Sequence, residues 1–175
     1  NNGYGYVGRY SGGDGTVTVT GTASSWTNAN HLYVGVSGTG TGALTVADGG
    51  SVSNMTGYLG DYAGSSGTAT VTGTASSWTN TGGVVVGDSG TGTLNVENGG
   101  SVTGASGYLG RYSGSSGTAT VTGTDSSWTN ANHLYVGRAS TGTLTVADGG
   151  SVSNVYGYLG LNRGSNGTAT VTGTA

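Results

Sequence analysis

The sequence predicts an all-β protein: a right-handed parallel β-solenoid of about seven rungs of ~25 residues, with three short strands per rung. Three observations predict it. The sequence repeats at a fixed period. Each repeat holds short alternating runs separated by turn residues. No single repeat carries enough apolar residues to close a core alone.

The repetition comes first. Residues 107–130 read GYLGRYSGSSGTATVTGTDSSWTN, residues 57–80 and 5–28 repeat this almost unchanged, and a fourth copy starts at Gly157. Between copies lies a second stretch, such as HLYVGRASTGTLTVADGGSVSN at 133–154. Trp26, Trp78 and Trp128 are 52 and 50 residues apart, and Val52, Val102 and Val152 are 50 and 50 apart. The two extra residues fall within SGTGTGALTV at 37–46, where only a turn accommodates them. The 50-residue unit is itself double, because a tripeptide ending in Gly recurs at Gly8, Gly35, Gly60, Gly87, Gly110, Gly137 and Gly160. Long and short units therefore alternate.

Each element follows from local chemistry. The long unit contains the runs GYLG, TATVT and SSWTN; the short unit contains LYVG, TLTV and GSVSN. Gly, Ser, Asn and Asp between them are turn formers. Alternate residues of a strand share a face. Ala119 and Val121 therefore point inward from TATVT, with Thr118, Thr120 and Thr122 outward. Leu144 and Val146 point inward from TLTV. Trp26, Trp78 and Trp128 take the inward core place of the long units, as Val152 does in a short one. Stacking units in register buries these side chains and pairs every strand with its equivalents. Seven rungs at ~4.8 Å give a rod ~34 Å long. The right hand follows the usual crossover preference. Residues 1–175 read as one solenoid domain.

Composition narrows the function. The chain has 40 Gly, 6% charged residues, no Pro, Cys or Phe, and a net charge of -3. Abundant Val, Thr and Tyr are strand formers, which separates it from a disordered Gly-rich chain. Without Cys there is no disulfide or thiolate metal site. Four Arg and no Lys argue against a nucleic-acid partner, whose binding needs clustered cations. No apolar run approaches the ~20 residues of a membrane span. The seven acidic residues are dispersed, and no nucleophile–base pair is apparent, so no enzyme activity and no cofactor are expected.

In-register stacking turns outward positions into columns. Tyr6, Tyr33, Tyr58, Tyr108, Tyr135 and Tyr158 form one, interrupted at Val85. Stacked aromatics stiffen a rod; as a contiguous exposed patch they are also a candidate glycan-binding or lateral-contact surface. Tyr10, Tyr62 and Tyr112 form a sparser column on the turn. The Thr columns include Thr68, Thr70, Thr72, Thr118, Thr120 and Thr122, with breaks at Ala43, Asn95 and Glu97. They suit exposed strands, and their regular spacing also resembles the layout of ice-binding β-solenoids. A varying column follows the recurrent Gly: Arg9, Val36, Asp61, Asp88, Arg111, Arg138 and Leu161. It reads as a solvated position in which Asp88 and Arg111 are placed to pair. Asp48, Glu97, Asn98 and Asp148 read as turn formers rather than a calcium column. His31 and His133 lie four rungs apart, ~19 Å, too far to share a metal. Asn54-Met55-Thr56 and Asn166-Gly167-Thr168 match the N-glycosylation sequon.

With these motifs laid out, residues 117–153 (GTATVTGTDSSWTNANHLYVGRASTGTLTVADGGSVS) resemble the T5SS/PEP-CTERM-associated repeat of long bacterial surface and secreted proteins. The resemblance extends over essentially the whole chain. It implies an exported solenoid at the bacterial cell surface, autotransporter-passenger-like, serving as an adhesin stalk or surface fibre. It implies no catalytic residues. No membrane barrel, sorting motif or capping segment accompanies it. Residues 1–23 align with 153–175, so each end is expected to continue as a longer array or to stack on another copy. The expected role is thus structural, polymerising or continuing end to end. Glycan binding by the Tyr column and ice binding by the Thr-X-Thr face are the alternatives.

Overall fold

The structure, a computed structural model, describes residues 2–173. It is a parallel β-solenoid, and no helix occurs among the described residues. The GTATVT-type strands Asp14–Thr20, Thr41–Ala47, Ser66–Thr72, Thr91–Glu97, Ser116–Thr122, Thr141–Ala147 and Asn166–Val171 form one seven-stranded sheet in chain order. This is the Thr face. The SSWTN-type and YLG-type strands make the Trp and Tyr faces. Those two share an eleven-stranded sheet, because Ser51–Leu59 and Ser77–Val86 run unbroken through the corner between them. A register shift at Asn54/Thr56 turns that corner. The three runs per rung therefore exist as expected, but in two rungs a bend replaces the turn between two of them.

Register is strict. Trp26 pairs with Val52, Val52 with Trp78, Trp78 with Val102 and Val102 with Trp128. The two extra residues of the second rung lie between Leu32–Val34 and Thr41–Ala47, in the turn.

The glycine after each Tyr-face strand has two reasons to be glycine. Gly60 has φ +68, a left-handed conformation that a Cβ disfavours. A Cβ there would also lie 2.1 Å from the Thr91 carbonyl oxygen of the next rung. The corner after the Thr face in short rungs is made by Asp48, Asn98 and Asp148 at φ 50, 53 and 51. Asn and Asp tolerate that conformation, so these acids serve the turn.

The core explains why the repeat is double. Long rungs put Gly57, Ala69 and Trp78 inside; the next rung puts Val84, Leu94 and Val102 there. Trp78 and Trp128 are fully buried, and Trp26, near one end, packs partly buried against the same core. A Cβ on Gly57 would fall 2.3 Å from the Trp78 ring, and one on Gly107 2.6 Å from Trp128. The large ring thus occupies space that small residues vacate on the other faces. Short rungs fill the same cross-section with three medium side chains, as dense interiors require.

Candidate functional site

No compact polar site stands out, so the candidate surfaces are the columns. On the Tyr face, Tyr6, Tyr33 and Tyr58 pair in register, as do Tyr108, Tyr135 and Tyr158. Their rings stack at 5.2, 5.0, 4.9 and 5.0 Å with planes within 10°. Stacking covers the ring faces, so the column offers edges and hydroxyls outward. That changes the glycan reading, since a sugar packs on an aromatic face. Burial in the stack, with Tyr58 and Asp61 alongside, pushes the Tyr33 hydroxyl up to about 12.

Val85 divides the column into two stacks of three. Beside it, Arg111 pairs with Asp88 at 3.1 Å. Its guanidinium also lies 5.3 Å from the Tyr108 ring centroid and 5.0 Å from Tyr112, within cation–π range. The expected Asp88–Arg111 pairing therefore forms. The position is not simply solvated, because Asp88 is buried. Burial, partly offset by Arg111, holds the Asp88 carboxyl above its ordinary range. Asp61, one rung away, lacks such a partner among the described residues. Desolvation first, then the Asp88 charge, push it up to about 6.

A cleft of about 350 Å³ opens between Tyr10 and Tyr62, with Tyr6 and Tyr33 behind it and Arg9 and Asp61 at its edges. Arg9 lies 4.5 Å from the Tyr6 ring centroid and 5.3 Å from Tyr10. The exposed ring faces of this surface belong to Tyr10 and Tyr62, at 69% and 62% exposure, rather than to the longer column.

The Thr columns lie on the seven-stranded sheet as expected: Thr70 pairs with Thr45 and Asn95, and Thr120 with Asn95 and Thr145. Thr20, Thr72 and Thr122 are bonded to the turn side chains Asp48, Asn98 and Asp148. Asn95 and Glu97 interrupt the array in its fourth strand. The continuous hydroxyl face is thus narrower than three Thr per strand.

Sequence reading missed a buried amide column. Asn54 Nδ2 donates to Asn80 Oδ1 at 2.6 Å, and Trp78 Nε1 donates to Asn54 Oδ1 at 2.7 Å. Asn28, Asn54, Asn80 and Asn130 are all buried. The sequon at Asn54 is therefore a core element, its amide already engaged. Gly104 interrupts this column, pairing with Asn130. Trp128 Nε1 and both amide atoms of Asn130 are buried there without a hydrogen-bond partner. The signal was present: each Asn lies two residues beyond an inward Trp or Val, hence on the inner face.

Among the described residues no group of three or more His, Asp or Glu is placed to hold a metal ion. His31 and His133 instead pack against tyrosines, 6.0 Å from Tyr33 and 5.8 Å from Tyr135. Protein-family models, curated proteins and solved structures all return no match to the chain.

Proposed function

We propose that the chain is a structural rod, a segment of an extracellular bacterial fibre or adhesin stalk that lengthens by adding rungs end to end. The observation that carries this reading is translational equivalence. Rungs meet in one strict register, Tyr on Tyr except at Val85 and Trp on Val in the core, so the two-rung unit repeats by translation along the rod. Such a stack has no internal limit on length. The resemblance to bacterial surface repeats supports the location.

Electron microscopy with an intact mass tests the proposal. Long rods with a ~4.8 Å axial repeat are expected, and the mass tells one long chain from many subunits. Discrete particles of 16.8 kDa would refute it. A second reading, glycan adhesion, is favoured by the cleft between Tyr10 and Tyr62, where two exposed rings flank Arg9 and Asp61. Binding on a glycan array, abolished by Tyr62→Ala, would establish it; a blank array would dismiss it.

A further inference from the structure

Two adjacent columns run along the turn beside the Tyr face. The backbone ladder continues through them: Asp61 N–H donates to the Gly35 carbonyl, Asp88 to Gly60, and Tyr62 to Val36. In the outer column Tyr10, Tyr62 and Tyr112 alternate with the small residues Ser37, Ser89 and Ala139. The result is a comb. Its teeth are two strand spacings apart, ~9.6 Å. Stacked rings prefer centroids ~4.5–7 Å apart, so each gap admits one ring from outside. The neighbouring column shows that spacing filled, with Tyr33 at 5.2 Å from Tyr6 and 5.0 Å from Tyr58.

We propose that this face binds the same face of a second copy, antiparallel, about a twofold axis that crosses both rods between the fourth and fifth rungs. Such an axis keeps each column opposite itself, whereas a twofold along the rods moves a column to the other side of the interface. Residues then meet reciprocally. Rung three faces rung six, and rung four faces rung five. Tyr62 enters the gap at Ala139, and Tyr112 enters the gap at Ser89. In the varying column Asp61 meets Arg138, twice; Val36 and Asp88 are buried behind the contact, with Asp88 already held by Arg111 of its own chain.

The charge column selects this register. The comb also permits a shift of two rungs. A shift one way sets Asp61 against Asp88 and Arg9 against Arg138. A shift the other way sets Arg111 against Arg138. Both oppose like charges, which costs affinity. Only the proposed register sets the half-buried Asp61 against a cation, Arg138. It also provides an ion-pair partner for Asp61 and Arg138, neither of which makes a salt bridge among the described residues of one chain, although Arg138 lies 5.9 Å from the Tyr108 ring centroid. Asp61 is half-buried with its carboxyl raised, as expected of an acid lacking a cation. The pairing is lateral and is independent of growth at the rod ends.

The chain has no cysteine, which makes cross-linking decisive. Asp61→Cys chains mixed with Arg138→Cys chains under a mild oxidant are expected to form a disulfide-linked pair, while neither variant alone links to itself. Rods stacked only end to end do not bring these positions together. In sedimentation, Asp61→Arg or Arg138→Asp is expected to weaken pairing about tenfold or more, and the double exchange to restore it. Chains that sediment as monomers, self-linking of Asp61→Cys as efficient as cross-linking, or no rescue by the double exchange would each overturn the proposal. An unchanged far-ultraviolet circular dichroism spectrum of each variant confirms that the fold is intact.

Discussion

Trp78 and Trp128 occupy equivalent places, are equally buried, and differ in one bond. Trp78 Nε1 donates to Asn54 Oδ1 at 2.7 Å; Trp128 Nε1 has no partner, since Gly104 stands where an Asn would. Phenylalanine at either site loses similar packing. At position 78 it also strips the buried Asn54 oxygen of a donor, which costs about 1–3 kcal/mol. At position 128 it removes an unsatisfied buried N–H, which recovers energy of the same order. Trp78→Phe is therefore expected to destabilise more than Trp128→Phe by about 2 kcal/mol or more. For a chain of this size that separates the melting temperatures by roughly 4–8 °C. Thermal and urea unfolding followed by circular dichroism read the difference. Alanine at either position should cost about 3–5 kcal/mol through lost burial and the cavity it leaves. Equal losses for the two Phe variants, or a larger loss at 128, would refute the hydrogen-bond reasoning even if both rings prove buried.

Further outcomes follow from other residues. Gly60→Ala, at φ +68 with a Cβ 2.1 Å from a carbonyl oxygen, should destabilise well beyond the ~1–2 kcal/mol of left-handed strain. Gly114→Ala, at φ +84 in open space, should cost only that strain; comparing the two melts separates clash from conformation. Asp61 has a folded pKa raised to about 6, so its contribution to stability is fully present below the ordinary Asp range and is lost as pH rises through about 6. Melting of the monomeric chain should therefore weaken as pH rises from about 4 to about 6 and level off above that. Asp61→Asn should flatten the profile and raise the melting temperature at neutral pH. If the Thr face only clothes the sheet, thermal hysteresis of the chain will match that of an inert control protein.

Periodicity made the fold legible, because the 50-residue spacing of Trp78 and Trp128 and the parity of TATVT already state which side chains share a column. Parity assigns direction, not contact. It placed Tyr33 outward, yet left unseen that stacking consumes its ring faces and shifts any open aromatic surface to Tyr10 and Tyr62. The Asn54 sequon match is read along the chain and says nothing of burial; its partners, Trp78 and Asn80, come from the rung above. Asp88 looked solvated because its burial depends on Arg111, which lies 23 residues later. The exchange of Gly57, Ala69 and Trp78 for Val84, Leu94 and Val102 was visible as text. It acquires meaning only once those positions are known to share one cross-section.

The fourth rung bears on mechanics. In that one rung Val85 interrupts the tyrosine stack, Asn95 and Glu97 interrupt the threonine columns, and Gly104 interrupts the buried amides. Tension applied along a solenoid pulls rung from rung, against the ladders that join them. Where three side-chain ladders lapse together, the backbone ladder carries more of the load. The Arg111–Asp88 ion pair spans this seam from the fifth rung to the fourth. Under such tension this seam is expected to yield first, and salt or Asp88→Ala is expected to lower the force at which it does so. Each released rung then extends by up to ~85 Å of unfolded chain, so the segment gives way by lengthening before it breaks.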